Sequence, residues 1–374
     1  MNYADPVTEE HAFAPYLGEI LAVAERGHKD VSTENLLLAL IELYRSHPAM
    51  MEEFITVFLQ RAVKDGLEVT PRAFRLSLST AVKLHLRTLG IKDYALFSIQ
   101  SWKQVVLDCL QEGDEEFMRC CLRDVSTVKI YRYIALQLIG GVLTRSATLP
   151  PGGLNVLDGG CSINIGLKCL NDPERFQRIE VEAQISRLFH EELPHFPLQY
   201  ALGIDKYPPS LERTLASLFP SEVTYWEDIY SKLFSMKKER VHYRRQDILY
   251  LDCQPEFQGK FDVVFLSSLL RRFPPHQISR MLSQVNYAMT PKSLLVINEQ
   301  MSEDSIEGSG NYVTCIIAKN LLEHLVAQKS SSIDLYVLLS RAFQLFVYPD
   351  ENCRKVSAGK DFQTFLTEYT HFRS

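Results

Sequence analysis

Leu154-Asn155-Val156-Leu157-Asp158-Gly159-Gly160-Cys161-Ser162-Ile163-Asn164-Ile165-Gly166 is the stretch that decides the fold. A short apolar run meets an acid, two glycines and small polar residues. That is how a buried parallel strand ends in a loop whose backbone a ligand can approach. The breaker run Leu149-Pro150-Pro151-Gly152-Gly153 stands immediately before it. Open α/β sheets take their ligands outside the carboxyl ends of their strands. Asp158, Gly159, Gly160, Cys161 and Ser162 therefore fall where a nucleoside cofactor would sit.

Downstream, short apolar runs alternate with helix-length segments. Strands are expected at Leu154–Leu157, Gln199–Asp205, Arg240–Arg244, Phe261–Leu266 and Ser293–Glu299, the second ending on an acid. Pro275 to Ala288, apolar at Ile278, Met281, Leu282 and Val285, has helical spacing. Alternation of this kind predicts a mostly parallel sheet covered on both faces. Further helices are expected at Cys315–Gln328 and Ile333–Arg341, and a strand at Phe343–Val347. Asp361–Tyr369 fits a strand or a helix. Ile179-Glu180-Val181-Glu182-Ala183 alternates like a strand inside a Pro-broken insertion between Asp158 and Asp205.

Upstream, the periodicity is helical: Ala12–Arg26, a helix capped by Ser32 or Thr33, Met50–Lys64, Arg72–Leu89 with Pro71 in its first turn, Trp102–Gln111 and Val125–Leu143. Two domains follow. Residues 1–149 form an all-α domain that acts as a lid, a substrate-shaping unit or a dimerisation surface, and 150–374 form a Rossmann-like α/β domain. The length of 374 residues suits two domains of about 100–200 residues each.

The net charge of −6 argues against a general nucleic-acid binder. No run of about 18 apolar residues exists, and Met1–Pro6 lacks the regions of a signal peptide. A cytoplasmic protein that spans no membrane is expected. Eight cysteines occur without any C-x-x-C pair, so reduced core thiols are expected and no metal site. Cys161 is the one in the glycine loop, where a small residue suits a tight turn.

V-L-D-G-G-C-S after a strand, G-I-D closing the next, R-R-Q-D-I-L, then F-D-V-V-F-L-S-S-L-L and S-L-L-V-I-N-E resemble the ordered motifs of class I S-adenosylmethionine-dependent methyltransferases. The likeness covers roughly Gly153 to Gln300 and extends, more faintly, to uncharacterised bacterial methyltransferase-like proteins with a helical N-terminal region. It implies S-adenosyl-L-methionine as cofactor. Asp158, Gly160 and Ser162, with Gly159 and Cys161, would lie beside its methionine part. Asp205, followed by Lys206, would hold the ribose hydroxyls, and Asp247 and Ile248 would face adenine. Leu266 and Ser267 would floor the site near the sulfonium. The chain departs from the family where glycines are usual, at Ser162 and Asn164. A left-handed backbone there costs about 1–2 kcal/mol.

An NAD-binding unit is the nearest competitor. It wants G-x-G-x-x-G with an acid about 20 residues on, and Asp205 lies much further away. Glu299, His276 and His242 are the candidates for a general base, although Glu299 also suits pairing with a cation. The expected activity is O- or N-methylation of a small molecule. The alternative is a degenerate methyltransferase fold that binds or scaffolds without catalysis.

Overall fold

The computed structural model describes residues 13–28, 30–112, 115–123, 125, 128–145, 150, 152–301, 312–328, 332–350 and 352–371. Met1–Pro6, the helix start at Ala12, and Leu149 and Pro151 of the breaker run lie outside them. The described strands are β1 (Leu154–Gly159), β2 (Glu180–Val181), β3 (Leu198–Asp205), β4 (Val241–Arg245), β5 (Phe261–Ser267), β6 (Met289–Gln300), β7 (Tyr312–Ala318), β8 (Phe343–Tyr348) and β9 (Lys355–Ala358). They form one sheet in the order β2-β9-β8-β7-β6-β5-β1-β3-β4. From β4 to β6 every pairing is parallel. From β6 to β9 every pairing is antiparallel, and β2 adds a parallel edge to β9.

After β1 the chain places the short β2 at the far edge and then adds β3 and β4 on one side of β1. It then returns to the other side of β1 for β5 and β6. The carboxyl ends of β1 and β5, paired at Gly159 and Leu266, flank this switch point. Alternation assigns the two faces. One face carries Leu157, Val264, Leu266, Leu295, Ile297 and Val313 against Ile278, Met281, Leu282 and Val285 of the helix Pro275–Ala288. The other carries Asp158 and Phe265, covered by Tyr133 from the 3-10 turn Ile130–Tyr133. The fold is thus a Rossmann-like, doubly wound α/β sheet extended by an antiparallel flank.

Several expected elements change. Cys315 opens no helix: Tyr312–Ala318 is a strand, almost entirely buried between β6 and β8, and the helix begins at Lys319. A short, mostly apolar run fits either structure by periodicity, and only its strand partners decide. Val125–Leu143 is not one helix but a 3-10 turn followed by the helix Ile134–Arg145. Gly140 and Gly141 do not close that helix. A Cβ on either would lie 2.3–2.4 Å from Phe196 or Pro194, so they permit close approach. The second helix is capped by Asp30, whose carboxylate accepts the Thr33 amide at 2.7 Å, and not by Ser32 or Thr33. Phe362–His371 is a helix. Glu115–Cys121 is a short helix that periodicity did not suggest.

Two compact units are present, and they do not divide at Pro150. One comprises residues 1–127 with 210–231; the other comprises 128–209 with 232–374. In the first, described elements are helical, and 210–231 is anchored by charge. The Arg87 side chain, 0% exposed, reaches Glu212 at 2.6 Å and Glu227 at 2.9 Å. Lys83 donates to the Leu218 carbonyl at 2.8 Å. In the second, the helix Ile134–Arg145 joins the sheet through its glycines and through Gln137, which donates to the Asn171 Oδ1 and the Pro194 carbonyl. Among the described residues, no helix is long and apolar enough to cross a membrane.

Candidate functional site

The loop after β1 is tied to the end of β3. Gly160 and Cys161 donate their amides to the Ile204 carbonyl at 2.9 and 3.0 Å. Ser162 donates its amide to Asp205 Oδ2 at 2.9 Å. To make these turns the loop passes three times through left-handed backbone, at Gly160 (φ 79°), Ser162 (φ 55°) and Asn164 (φ 55°). Only the first is glycine, so the departures at Ser162 and Asn164 do carry the expected strain, about 1 kcal/mol or more each. Asn164 offsets part of it by donating Nδ2 to the His242 carbonyl at 2.8 Å.

Asp158 is 1% exposed, and its carboxylate accepts the Tyr133 hydroxyl at 2.5 Å. Burial pushes its carboxyl up to about 7; the Tyr133 hydrogen bond pulls the other way, and the nearby Asp205 charge adds to the rise. The Tyr133 ring packs against the short helix Ile165–Cys169, where a Cβ on Gly166 would meet it at 1.9 Å. Tyr133 is a site residue that sequence reasoning missed. Its only signal was position: the last turn before the first strand's helix and linker has to cover something.

The sequence-predicted residues fall into three groups. Asp158, Asp205 and Ser162 meet as described. Gly159, Ile248 and Leu266 also meet, since a Cβ on Gly159 would lie 2.4 Å from Ile248 and 2.7 Å from Leu266. Cys161 is buried with its sulfur against Gly203, as a small turn residue would be, and burial pushes its thiol well up. Asp247 caps the 3-10 turn Ile248–Cys253 by accepting the Leu249 amide at 3.0 Å, and is half-buried. Ser267 ends β5, with a buried hydroxyl that has no hydrogen-bond partner among the described residues. Lys206 is exposed over the Tyr207 ring.

The base candidates are not brought to this cluster. His242 sits in mid-strand, exposed, stacked on Tyr200 at 4.9 Å. His276 is exposed in the first turn of its helix. Glu299 is buried and engaged by Arg271 at 3.4 Å and by the Gln300 amide at 3.2 Å. Among the described residues no cluster of His, Cys, Asp and Glu could hold a metal ion, and the cysteines there are free.

No protein-family model and no curated protein matches the sequence. Solved structures do. A methyltransferase dependent on S-adenosylmethionine from Mesorhizobium loti is 23% identical, with 44% of this chain and 56% of that one covered and a TM-score of 0.23. The YcgJ protein from Bacillus subtilis is 13% identical over 44% of this chain and 52% of that one, with a TM-score of 0.24. The [4+2]-cyclase SpnF is 14% identical over 48% and 49%, with a TM-score of 0.26. The chain spans about half the length of these structures. At such scores the likeness adds nothing to the strand order and the strand-end residues. Those define a doubly wound α/β protein with its candidate ligand site at the carboxyl ends of β1, β3 and β5.

Proposed function

We infer that the chain is an S-adenosylmethionine-dependent methyltransferase acting on a hydroxyl or amine of a small molecule. The observation that carries this is the convergence of Asp158, Ser162 and Asp205 beside the β1–β5 switch point, with Asp247 capping the turn after β4. The sequence resemblance supplies the identity of the cofactor, and the local geometry suits it. Gly160 has left-handed backbone at the tight turn that ties the loop to the end of β3. Ser267 keeps a buried hydroxyl in reserve at the end of β5.

When bound, S-adenosylmethionine would supply an electrophilic methyl group on a sulfonium. The chain's residues bind, orient and exclude water. Asp205, which accepts the Ser162 and Tyr207 amides at the end of β3, would take the ribose diol, since a carboxylate can accept several hydrogen bonds at once. Asp158, with Tyr133, would hold the loop and, when ionised, favour a cationic ligand. Ile248 and Leu266 would give an apolar wall on either side of Gly159. No base is needed for an acceptor that is already nucleophilic, and positioning can contribute about 7–11 kcal/mol. The competing reading, a fold kept for binding without catalysis, draws on Ser162, Asn164 and the raised carboxyl of Asp158.

Calorimetric titration with S-adenosylhomocysteine tests the inference. Binding is expected in the wild-type chain. Asp205→Ala should fold normally, being at a half-exposed strand end, and lose about a hundredfold in affinity, as two hydrogen bonds to a charged group imply. No heat and no thermal stabilisation at millimolar ligand would refute the cofactor assignment.

A further inference from the structure

At the carboxyl ends of β5 and β6 and near the amino end of the antiparallel β7, Ser267, Asn298 and Thr314 are register partners on three adjacent strands. Their neighbours Leu266, Ile297 and Val313 belong to the apolar cluster on one face of the sheet. Alternation therefore turns all three toward the other face, the one Tyr133 covers at Phe265. Thr314 is satisfied, 2.8 Å from the Tyr348 hydroxyl. The other two are not: Ser267 Oγ and Asn298 Oδ1 are buried without a hydrogen-bond partner among the described residues. Asn298 is 0% exposed.

A buried, unpaired polar atom is costly, and folded chains rarely keep one without use. Here two stand on register partners of adjacent strands, whose backbones lie about 4.8 Å apart, at the ligand end of the sheet. The amide of Asn298 is also oriented. Its Nδ2 faces the Arg132 carbonyl at 3.4 Å and Cys353 Sγ at 4.0 Å. Turning the amide over would set Oδ1 against a carbonyl oxygen, so Oδ1 is the atom left over.

We propose that Ser267 and Asn298 form the subsite that takes the hydrogen-bearing group of the acceptor, a hydroxyl or an amine N–H; calling its ligand the methyl acceptor rests on the methyltransferase reading. Asn298 Oδ1 can only accept, so the group delivered to it must carry a hydrogen. Ser267 Oγ can donate or accept and so serves the same group's lone pair or its neighbour. An ether, a thioether or a tertiary amine offers no hydrogen and leaves Oδ1 unpaired. A site built to hydrogen-bond a hydroxyl rejects the analogue lacking it far more strongly than an apolar pocket rejects a missing methylene. The row thus selects hydroxyls and primary or secondary amines, and it disfavours a product whose last such hydrogen has been replaced by methyl.

Phenol and its methyl ether, anisole, test this directly. They are titrated into the full chain carrying 15N-asparagine, with and without saturating S-adenosylhomocysteine. The readout is the side-chain amide signal of Asn298, identified by its absence in Asn298→Leu. Phenol is expected to move that signal and to bind at least about tenfold more tightly than anisole, as one buried hydrogen bond implies. Asn298→Leu should abolish the preference. Ser267→Ala, which removes one small hydroxyl and should fold, should reduce it about threefold or more. Equal binding of the two probes, or an unmoved Asn298 signal while S-adenosylhomocysteine still binds, overturns the subsite and leaves the cofactor assignment standing. An intact phenol preference in a chain that fails to bind S-adenosylhomocysteine supports the hydrogen-selecting row and refutes the methyltransferase reading instead.

Discussion

Asp158 and Glu299 both stand at the carboxyl ends of parallel strands, β1 and β6, and both are almost wholly out of solvent. Their partners differ. Glu299 faces a guanidinium, with Arg271 Nε at 3.4 Å, and accepts the Arg271 and Gln300 amides at 3.5 and 3.2 Å. Asp158 has a neutral partner, the Tyr133 hydroxyl, and a like charge close by in Asp205. Burial without a cation pushes Asp158 to about 7. The end of β6 is therefore a closed ionic joint, and the end of β1 is a carboxyl whose charge a cationic ligand can still change. An acid at a strand end says little until its partner is known.

The largest expected effect lies at the closed joint. Glu299→Ala takes the acceptor from the Arg271 and Gln300 amides and the carboxylate from the Arg271 guanidinium, which keeps Gln300 Oε1 at 2.7 Å; removing one partner of a largely buried pair costs about 3–5 kcal/mol. Thermal or denaturant unfolding measures it. A change under about 1 kcal/mol would place the pair in effective contact with water and remove the contrast with Asp158.

A smaller effect, of opposite sign, is expected at Asp158. Its folded pKa of about 7 lies above the usual value near 3.9. Below about pH 4 both folded and unfolded chains hold the proton, so nothing is lost. As pH rises from about 4 to about 7 the unfolded chain releases its proton while the folded one keeps it, and stability falls. Asp158→Asn should remove that slope and stabilise the chain at pH 8 by on the order of 2–3 kcal/mol. Unfolding curves at pH 5 and pH 8 decide it; an unchanged slope would mean that Asp158 is ionised throughout.

The smallest effect concerns the loop that Asp158 opens. Ser162→Gly relieves a left-handed residue at φ 55°, worth about 1 kcal/mol against the entropy glycine adds to the unfolded chain. A net stabilisation of a few tenths of a kcal/mol, with tighter S-adenosylhomocysteine binding, is expected. Weaker binding would show that the serine itself contacts the ligand.

Helix Pro275–Ala288 was readable to the residue, because its prolines mark the start and Ile278, Met281, Leu282 and Val285 mark one face. The carboxyl ends of β1, β3 and β5 were readable because an apolar run followed by an acid, a glycine or a serine is a local signal. The strand Tyr312–Ala318 was not, since nothing local separates a buried strand from the start of a helix. Nor could periodicity tell that residues 210–231 belong with the helical unit, which depends on Arg87 meeting Glu212 and Glu227. The helix Ile134–Arg145 is apolar on most sides, which points to cover from the sheet, but its close approach rests on Gly140 and Gly141 meeting Phe196 and Pro194.

By itself, then, the sequence determined a helical front part, a doubly wound sheet and the acids and glycines at its ligand end, because strand, turn and helix periods are written within ten or twenty neighbouring residues. Tertiary structure alone decided which acid is closed and which is open, and which polar atoms stay unpaired. Tyr133 and Asp158 are 25 residues apart, Ser268 and Asn298 are joined only by strand pairing, and Arg271 meets Glu299 from across a helix. Such pairings depend on distances through space that no local pattern encodes, and it is they that set the charge and hydrogen-bonding capacity of the site.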